Sequence, residues 1–315
     1  MATILLRTGL AIFWASFGVS GAPAQDSGAA KKPIHIGMVR SFLGDDRPKL
    51  AYLWDGPKKL KVLGKLFGDF VREQTGIDGK LVLGGDYRRV ARLLDKKQID
   101  VGIMHGFEFA WAQREFPELQ PLLIAIYRDR SLSAHLVVRH DCPATSVADL
   151  KGGALALPMR TKGHCRLFLE RLCQAAGAAE PKSHFNVMER CANVRAALDE
   201  LVQGSVDAAV ADGEFLQSYA QLKPGCFEKL RILAQSETFP AAVLVHRPGV
   251  IDPQTLRTFR DGLIKAHRSI TGRDRMLMFK IGAFEIPPVD YDEQLADIRS
   301  AYPPPGAITL VGANK

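Results

Sequence analysis

Apolar and polar positions along the chain change period in a regular order. Ile34 to Val39 alternates as a strand, and Leu60, Leu63, Leu66, Phe67, Phe70 and Val71 then lie on one helical face that Gly76 stops. The strand Leu81 to Leu83 follows, and Asp86 is placed to cap a second helix carrying Val90, Leu93 and Leu94. That helix runs into Gln98-Ile99-Asp100-Val101-Gly102-Ile103-Met104-His105-Gly106. The pattern returns as Ser205-Val206-Asp207-Ala208-Ala209-Val210-Ala211-Asp212-Gly213, again behind an amphipathic helix, with Leu198, Leu201 and Val202. Two copies of one helix-to-strand unit imply two similar lobes. Each terminal Gly marks a strand's carboxyl end, where open α/β sheets gather ligands. His105-Gly106 and Asp212-Gly213 are therefore expected to face each other across a cleft.

Between the copies, Leu122 to Ile126 and His135 to Val138 read as strands, and Arg128 to Ser133 as a first crossing between lobes. Ser146 to Gly152 is a short capped helix, Ala154 to Leu157 a strand, and Cys165 to Ala176 a helix ended by Gly177. Ile232 to Ala234 is a strand, Ser236 to Pro240 the return crossing, and Ala242 to Val245 a strand. Asp252-Pro253 starts a helix with a cap followed by Pro at the first helical position. The expected fold is α/β, with two similar lobes joined by two crossing strands. Residues 25–133 and 240–315 form a discontinuous first lobe and 134–239 the second.

The first 24 residues precede this pattern and differ from it. A lone basic residue, Arg7, an apolar stretch through Leu10, Ile12, Phe13, Trp14 and Phe17, and small residues ending Ala22-Pro23-Ala24 have the order of a secretory signal peptide cleaved after Ala24. An uncleaved anchor is the alternative, but the stretch is short and rich in Gly and Ser. No Cys follows the cleavage site, so a lipid-anchored form is not expected. Residues 25–32 are a polar leader. The rest, in a chain of 315 residues with 47% hydrophobic content, is ample for two cores.

The formal charge of +8 becomes +7 without Arg7, and the basic residues are scattered among acidic ones. A solvated basic surface or attraction to an anionic ligand fits this better than nucleic acid, for which no motif is present. All five Cys (142, 165, 173, 191, 226) fall in the second lobe. Their number is odd, so at least one is unpaired in a monomer. Cys165 and Cys173 are about 12 Å apart along one helix and cannot bridge. Cys142 with Cys226, or either with Cys191, stays open, beside the reading of buried small hydrophobes.

Phe70-Val71-Arg72-Glu73-Gln74-Thr75-Gly76, Gln98 to Gly102, Ser146 to Gly152 leading into Ala154-Leu155-Ala156, and Gly204 to Val210 occur in an order and spacing that carries a family resemblance. Over about residues 33 to 300 the chain resembles the phosphate/phosphonate-binding (PhnD-like) group of type 2 periplasmic solute-binding proteins of ABC importers. The resemblance implies two lobes that close on a ligand like a hinge. Where that group begins its second-lobe anion helix with Ser-Thr-Ser-Gly, this chain has Arg160-Thr161-Lys162-Gly163. Its Ser-His is Asn193-Val194 here, and its first-lobe Gly-Pro loop is His105-Gly106-Phe107.

A helix start offers free N–H groups backed by the helix dipole, and Arg160 and Lys162 would add cations there. The expected ligand residues are Arg40, Ser41, His105, Gly106, Tyr127, Arg160, Thr161, Lys162, Gly163, His164, Asn193 and Asp212. Phe42, Trp54, Phe107, Phe109 and Tyr127 are aromatic groups for stacking on a ligand or for packing. Arg128 and Asp129 could bind ligand or pair with each other. As a metal alternative, with copper, zinc or iron, His105, His164, Cys165, Cys191 and Asp212 could meet across the cleft, with Glu108 beside them, although the spacing fits no closed zinc motif. No Ser-His-Asp order, GxSxG or P-loop is present, so no enzyme and no cofactor is expected. The reading is an exported, soluble, monomeric periplasmic protein that hands a small anionic solute to an inner-membrane ABC permease. A ligand-sensing partner of a membrane receptor is the other alternative.

Overall fold

A computed structural model describes residues 32–43, 57–128, 130–159 and 161–305. Residues 1–31, which include the expected signal peptide, and Trp54, Asp129 and Arg160 lie outside the described residues. The elements run β1 (Ile34–Val39), α1 (Pro57–Thr75), β2 (Gly79–Gly85), α2 (Tyr87–Asp95), β3 (Val101–Met104), α3 (Gly106–Glu115), β4 (Gln120–Ile126), β5 (Ser131–Leu132) and β6 (Ala134–Arg139). Then come β7 (Ala154–Pro158), α4 (Gly163–Ala175), α5 (Pro181–His184), β8 (Val187–Cys191), α6 (Val194–Gln203), β9 (Ala208–Asp212), α7 (Gly213–Leu222), α8 (Pro224–Phe227) and β10 (Leu230–Gln235). The chain closes with β11 (Phe239–Pro240), β12 (Ala242–His246), α9 (Pro253–Lys265), α10 (Ile270–Met278), β13 (Ala283–Glu285) and α11 (Tyr291–Ala301).

One sheet has the order β13-β4-β12-β3-β1-β2 and another β10-β6-β9-β7-β8. The two share a plan. In each, three parallel strands (β2, β1, β3; β8, β7, β9) are followed by an antiparallel strand, β12 against β3 and β6 against β9, and then by another, β4 and β10. The two copies of the sequence echo, β3 and β9, occupy the same place in the two sheets. The chain leaves the first sheet after β4 and returns to it at β12. The crossing strands β5 and β11 pair antiparallel, Phe239 opposite Leu132 and Pro240 opposite Ser131.

Residue alternation decides what each face packs. Val101, Ile103 and Leu244 join Ile34, Ile36, Phe70, Val71, Phe259 and Leu263 under α1 and α9. Met104, Val243 and Val245 point the other way, toward α2 and α3. Behind the second sheet, Leu198 and Leu201 of α6 and Leu216 and Tyr219 of α7 meet Ala209 and Ala211. The third cluster is continuous from Phe107 and Trp111 of α3 through Phe239 of the crossing strand to Leu157, Cys165 and Phe168 beside the second sheet. An apolar core therefore runs from one half of the molecule to the other, through the place where the sequence predicts a cleft.

The caps expected from sequence form. Asp86 accepts from Arg89 N–H at 2.8 Å and Asp252 from Thr255 N–H at 2.9 Å. Gly76 and Gly177 end their helices with φ of 67° and 82°. All five cysteines are free thiols, so none of the bridges left open by the sequence is formed. Among the described residues, no helix is long and apolar enough to cross a membrane.

Candidate functional site

Helices α3, α4 and α7 each begin on a glycine, directly after the carboxyl end of a strand or a short turn from it. Their N-caps are His105, Lys162 and Asp212, with extended backbone at each. The glycines at these starts permit close approach. A Cβ on Gly106 would run into the carbonyls of Pro240 and Ala241 in the return crossing, and one on Gly163 would sit 2.9 Å from Cζ of Phe107. The start of α4 in one half thus lies under an aromatic ring from α3 in the other.

The α3 end is fixed by Glu108. Its carboxylate accepts from His105 N–H at 3.1 Å and from the Ser41 hydroxyl at 2.9 Å, which joins the turn after β1 to the turn after β3. The His105 ring stacks on Phe107, with centroids 5.3 Å apart and planes within 4°, and lies 4.0 Å from Phe42. His105 as a whole residue is half-buried. Burial, with smaller contributions from His164 and Lys162, lowers its pKa from 6.5 to about 3, so it is neutral at physiological pH.

The α4 and α7 ends hold opposite charges together. Lys162 Nζ lies 3.0 Å from Asp212 Oδ2 and 3.4 Å from Glu214 Oε2, and His164 Nε2 lies 2.9 Å from the same Asp212 oxygen. Asp212 and His164 side chains are each 3% exposed and Lys162 is 36% exposed. Burial pushes the Asp212 carboxyl up, but His164 and Lys162 outweigh it and hold it below its ordinary range. Burial likewise works against the Lys162 charge, and Asp212 and Glu214 more than offset it. The neighbouring Cys165 thiol is pushed well above its usual range, first by burial and then by Asp212. Thr161 donates its hydroxyl to Pro158 O at 2.5 Å, locking the turn into α4. From the first crossing, Arg128 reaches Glu214 at 3.6 Å and the Ser218 hydroxyl at 3.0 Å.

The predicted residues therefore divide. Lys162, Gly163, His164, Asp212 and Cys165 come together, with Thr161 at their edge, while His105, Gly106 and Ser41 form the facing end of α3. Asn193 spends its side chain capping α6 on Ala196 N–H at 3.0 Å. Arg40 is exposed on a 3-10 turn, and Tyr127 is 41% exposed with Arg128 over its ring. Of the aromatic candidates, Phe109 is wholly core and Phe107 and Phe42 flank His105. Arg128 pairs with Glu214. Of the five metal candidates, His164, Cys165 and Asp212 group together, whereas His105 lies outside that group and Cys191 faces Glu200, Sγ to Oε2 3.0 Å.

The sequence reading did not include Glu214, Phe239 or Phe215. An acid in a helix's first turn is what the dipole favours anyway, so Glu214 carries no separate signal. Phe239 is wholly buried between Phe107, His164 and Tyr302, a place set by the pairing of β11 with β5. Instead of an open cation-lined cleft, the halves meet through aromatic rings and a neutralised ion cluster. A cavity of only about 20 Å³ remains beside Lys162, Cys165, Asp212 and Phe215.

Two sheets of one plan, two paired crossing strands and helix starts facing each other at the crossings define a two-lobe α/β binding protein. The sequence model of one family, described as "ABC transporter, phosphonate, periplasmic substrate-binding protein", matches residues 54–294. The chain belongs to that family, whose members serve transport by binding a small molecule in the periplasm for an ABC importer. No curated protein sequence matches the chain. Among solved structures it is similar to XAC2383 from Xanthomonas citri bound to ATP, at TM-score 0.54 and 18% identity, over 85% of this chain and 96% of that one. PhnD1 from Prochlorococcus marinus (MIT 9301), in complex with methylphosphonate, gives TM-score 0.53 and 14% identity over 85% and 97%. The binding protein component of an ABC phosphonate transporter (PA3383) from Pseudomonas aeruginosa gives 0.50 and 16% over 85% of each chain. At these identities the likeness carries the fold.

Proposed function

We propose that this chain captures a small oxyanion of the phosphonate class at the facing starts of α3 and α4 and presents it to an inner-membrane permease. Residues 25–133 and 240–315 act as one lobe and 134–239 as the other, hinged at the paired crossing strands. The observation that carries this reading is the pair of glycine-led helix starts meeting face to face, with Lys162 as the N-cap of α4. Helix N-termini supply N–H donors and positive dipole ends without reorganisation. Lys162 is the mobile part. Its ammonium, now shared between Asp212 and Glu214, turns to the oxyanion when Phe107 and Gly163 separate to admit it, and closure is then favoured by contacts the open state lacks.

The rest of the reading follows the same line. Residues 1–24 direct export, the mature chain is a soluble monomer without a lipid anchor, it catalyses no reaction, and nucleic acid is not a partner. Calorimetry of the mature chain against methylphosphonate and inorganic phosphate tests the core of it. Saturable binding is expected for at least one of them, weakened at least tenfold, about 1.4 kcal/mol, by Lys162→Ala. Absence of binding to both, or binding that Lys162→Ala leaves unchanged, overturns the assignment.

A further inference from the structure

Beyond oxyanion capture, we propose that His164, Cys165 and Asp212 form a binding site for one divalent transition-metal ion of the zinc type. Each offers one ligand atom, an imidazole nitrogen, a thiol sulfur and a carboxylate oxygen, and these atoms lie within 4.8 Å of one another. Zinc bonds of about 2.0–2.3 Å in a tetrahedron separate ligand atoms by roughly 3.3–3.8 Å, so rotations of the side chains suffice to close the set. Nitrogen, sulfur and oxygen donors together suit zinc and its neighbours over the hard ions magnesium and calcium.

Three further observations point to a cation here. All three residues are buried; Asp212 Oδ1 has no hydrogen-bond partner, and Oδ2 is shared between His164 Nε2 and the displaceable Lys162 ammonium. A buried carboxylate oxygen without a partner is costly, and a metal ion on this carboxylate satisfies it. The cavity of about 20 Å³ is lined by both Cys165 and Asp212, room for one water-sized ligand at a fourth coordination position. Lastly, a cation already stands against this carboxylate. Lys162 Nζ is 3.0 Å from Asp212 Oδ2, and its partly exposed side chain has Glu214 at 3.4 Å to hold it when displaced.

The charge balance agrees. A divalent ion bound by a thiolate, a carboxylate and a neutral imidazole is a neutral unit, the form least penalised by burial. Binding forms three metal–ligand bonds and releases the Cys165 thiol proton to solvent, with no change of oxidation state.

The experiment uses the mature chain, titrated with Zn2+ alone by calorimetry and with Co2+ by absorption. One ion per chain is expected, with a thiolate-to-cobalt charge-transfer band in the near ultraviolet. The band should vanish in Cys165→Ser and persist in Cys173→Ser, a buried thiol on the same helix outside the group. Zn2+ affinity should fall at least about tenfold in Asp212→Asn and rise in Lys162→Met, which removes the competing ammonium. Lys162→Met leaves the ligand set intact, so it decides the matter even if the other variants fail to fold. No charge-transfer band in the wild type, a band that survives Cys165→Ser, or Zn2+ affinity in Lys162→Met equal to or below the wild type overturns the proposal. Methylphosphonate titrations of the metal-free wild type score the oxyanion reading separately.

Discussion

Gly163→Ala probes the contact between the lobes with a single carbon atom. The added Cβ comes 2.9 Å from Cζ and 3.5 Å from Cε1 of Phe107. A ring edge can yield where it is free, but this ring is stacked on His105 at 5.3 Å and set edge-on to Trp111 at 5.2 Å and Phe239 at 6.2 Å. Overpacking in such a setting costs about 1–3 kcal/mol. Within α4 the same change is favourable, because Ala replaces Gly at the start of a helix with a gain of at most about 1 kcal/mol. The penalty therefore falls on the closed arrangement alone, and a net 1–2 kcal/mol lowers its population about 5- to 30-fold relative to an open one. Small-angle scattering should report a larger radius of gyration for Gly163→Ala without solute, and the melting temperature should fall. Phe107→Leu in the same chain, which shortens the ring side, should restore part of both. A Gly163→Ala protein that melts at or above the wild type with an unchanged radius of gyration would refute the reasoning.

Asp212→Asn removes the carboxylate shared by Lys162 and His164, and truncating one partner of a buried pair leaves the others uncompensated; a loss of about 3 kcal/mol is expected by denaturant melts, at the lower end of the range because Lys162 retains Glu214. A change under about 0.5 kcal/mol would contradict the buried cluster. His105 supplies a pH dependence. Its folded pKa of about 3 lies below the unfolded value of 6.5, so its contribution is complete above pH 6.5 and is lost as pH falls from there toward 3. At pH 5 the loss is about 2 kcal/mol at 1.36 kcal/mol per pH unit. His105→Gln should flatten that part of the stability profile, and an unaltered slope would remove His105 as its source.

Much of the scaffold was legible in the chain. The echo placed β3 and β9 because a strand of four or five apolar residues between a helix and a glycine has few alternatives, and Gly76, Asp86, Gly177 and Asp252 act through local backbone geometry. β8 went unread. Val187-Met188-Glu189-Arg190-Cys191 has no apolar alternation because it is the sheet's edge strand, largely exposed and held by its pairing with β7. The site was legible as a set of candidate residues and not as a set of partners. Lys162 and Asp212 are both expected at the ligand, yet each is occupied by the other, because they lie 50 residues apart in sequence and 3.0 Å apart in space.

Periodicity, caps and glycines are local, and they suffice to determine that this chain makes two copies of one α/β unit with a crossing between them. What fills the space between the copies was decided only by the tertiary structure. Burial of Phe107 against Gly163 and Phe239, and the cancelling of Lys162 by Asp212 and Glu214, depend on how two sheets are set against each other by the β5–β11 pairing. Desolvation and Coulomb energies are set by distance through space, and no spacing along the sequence encodes them.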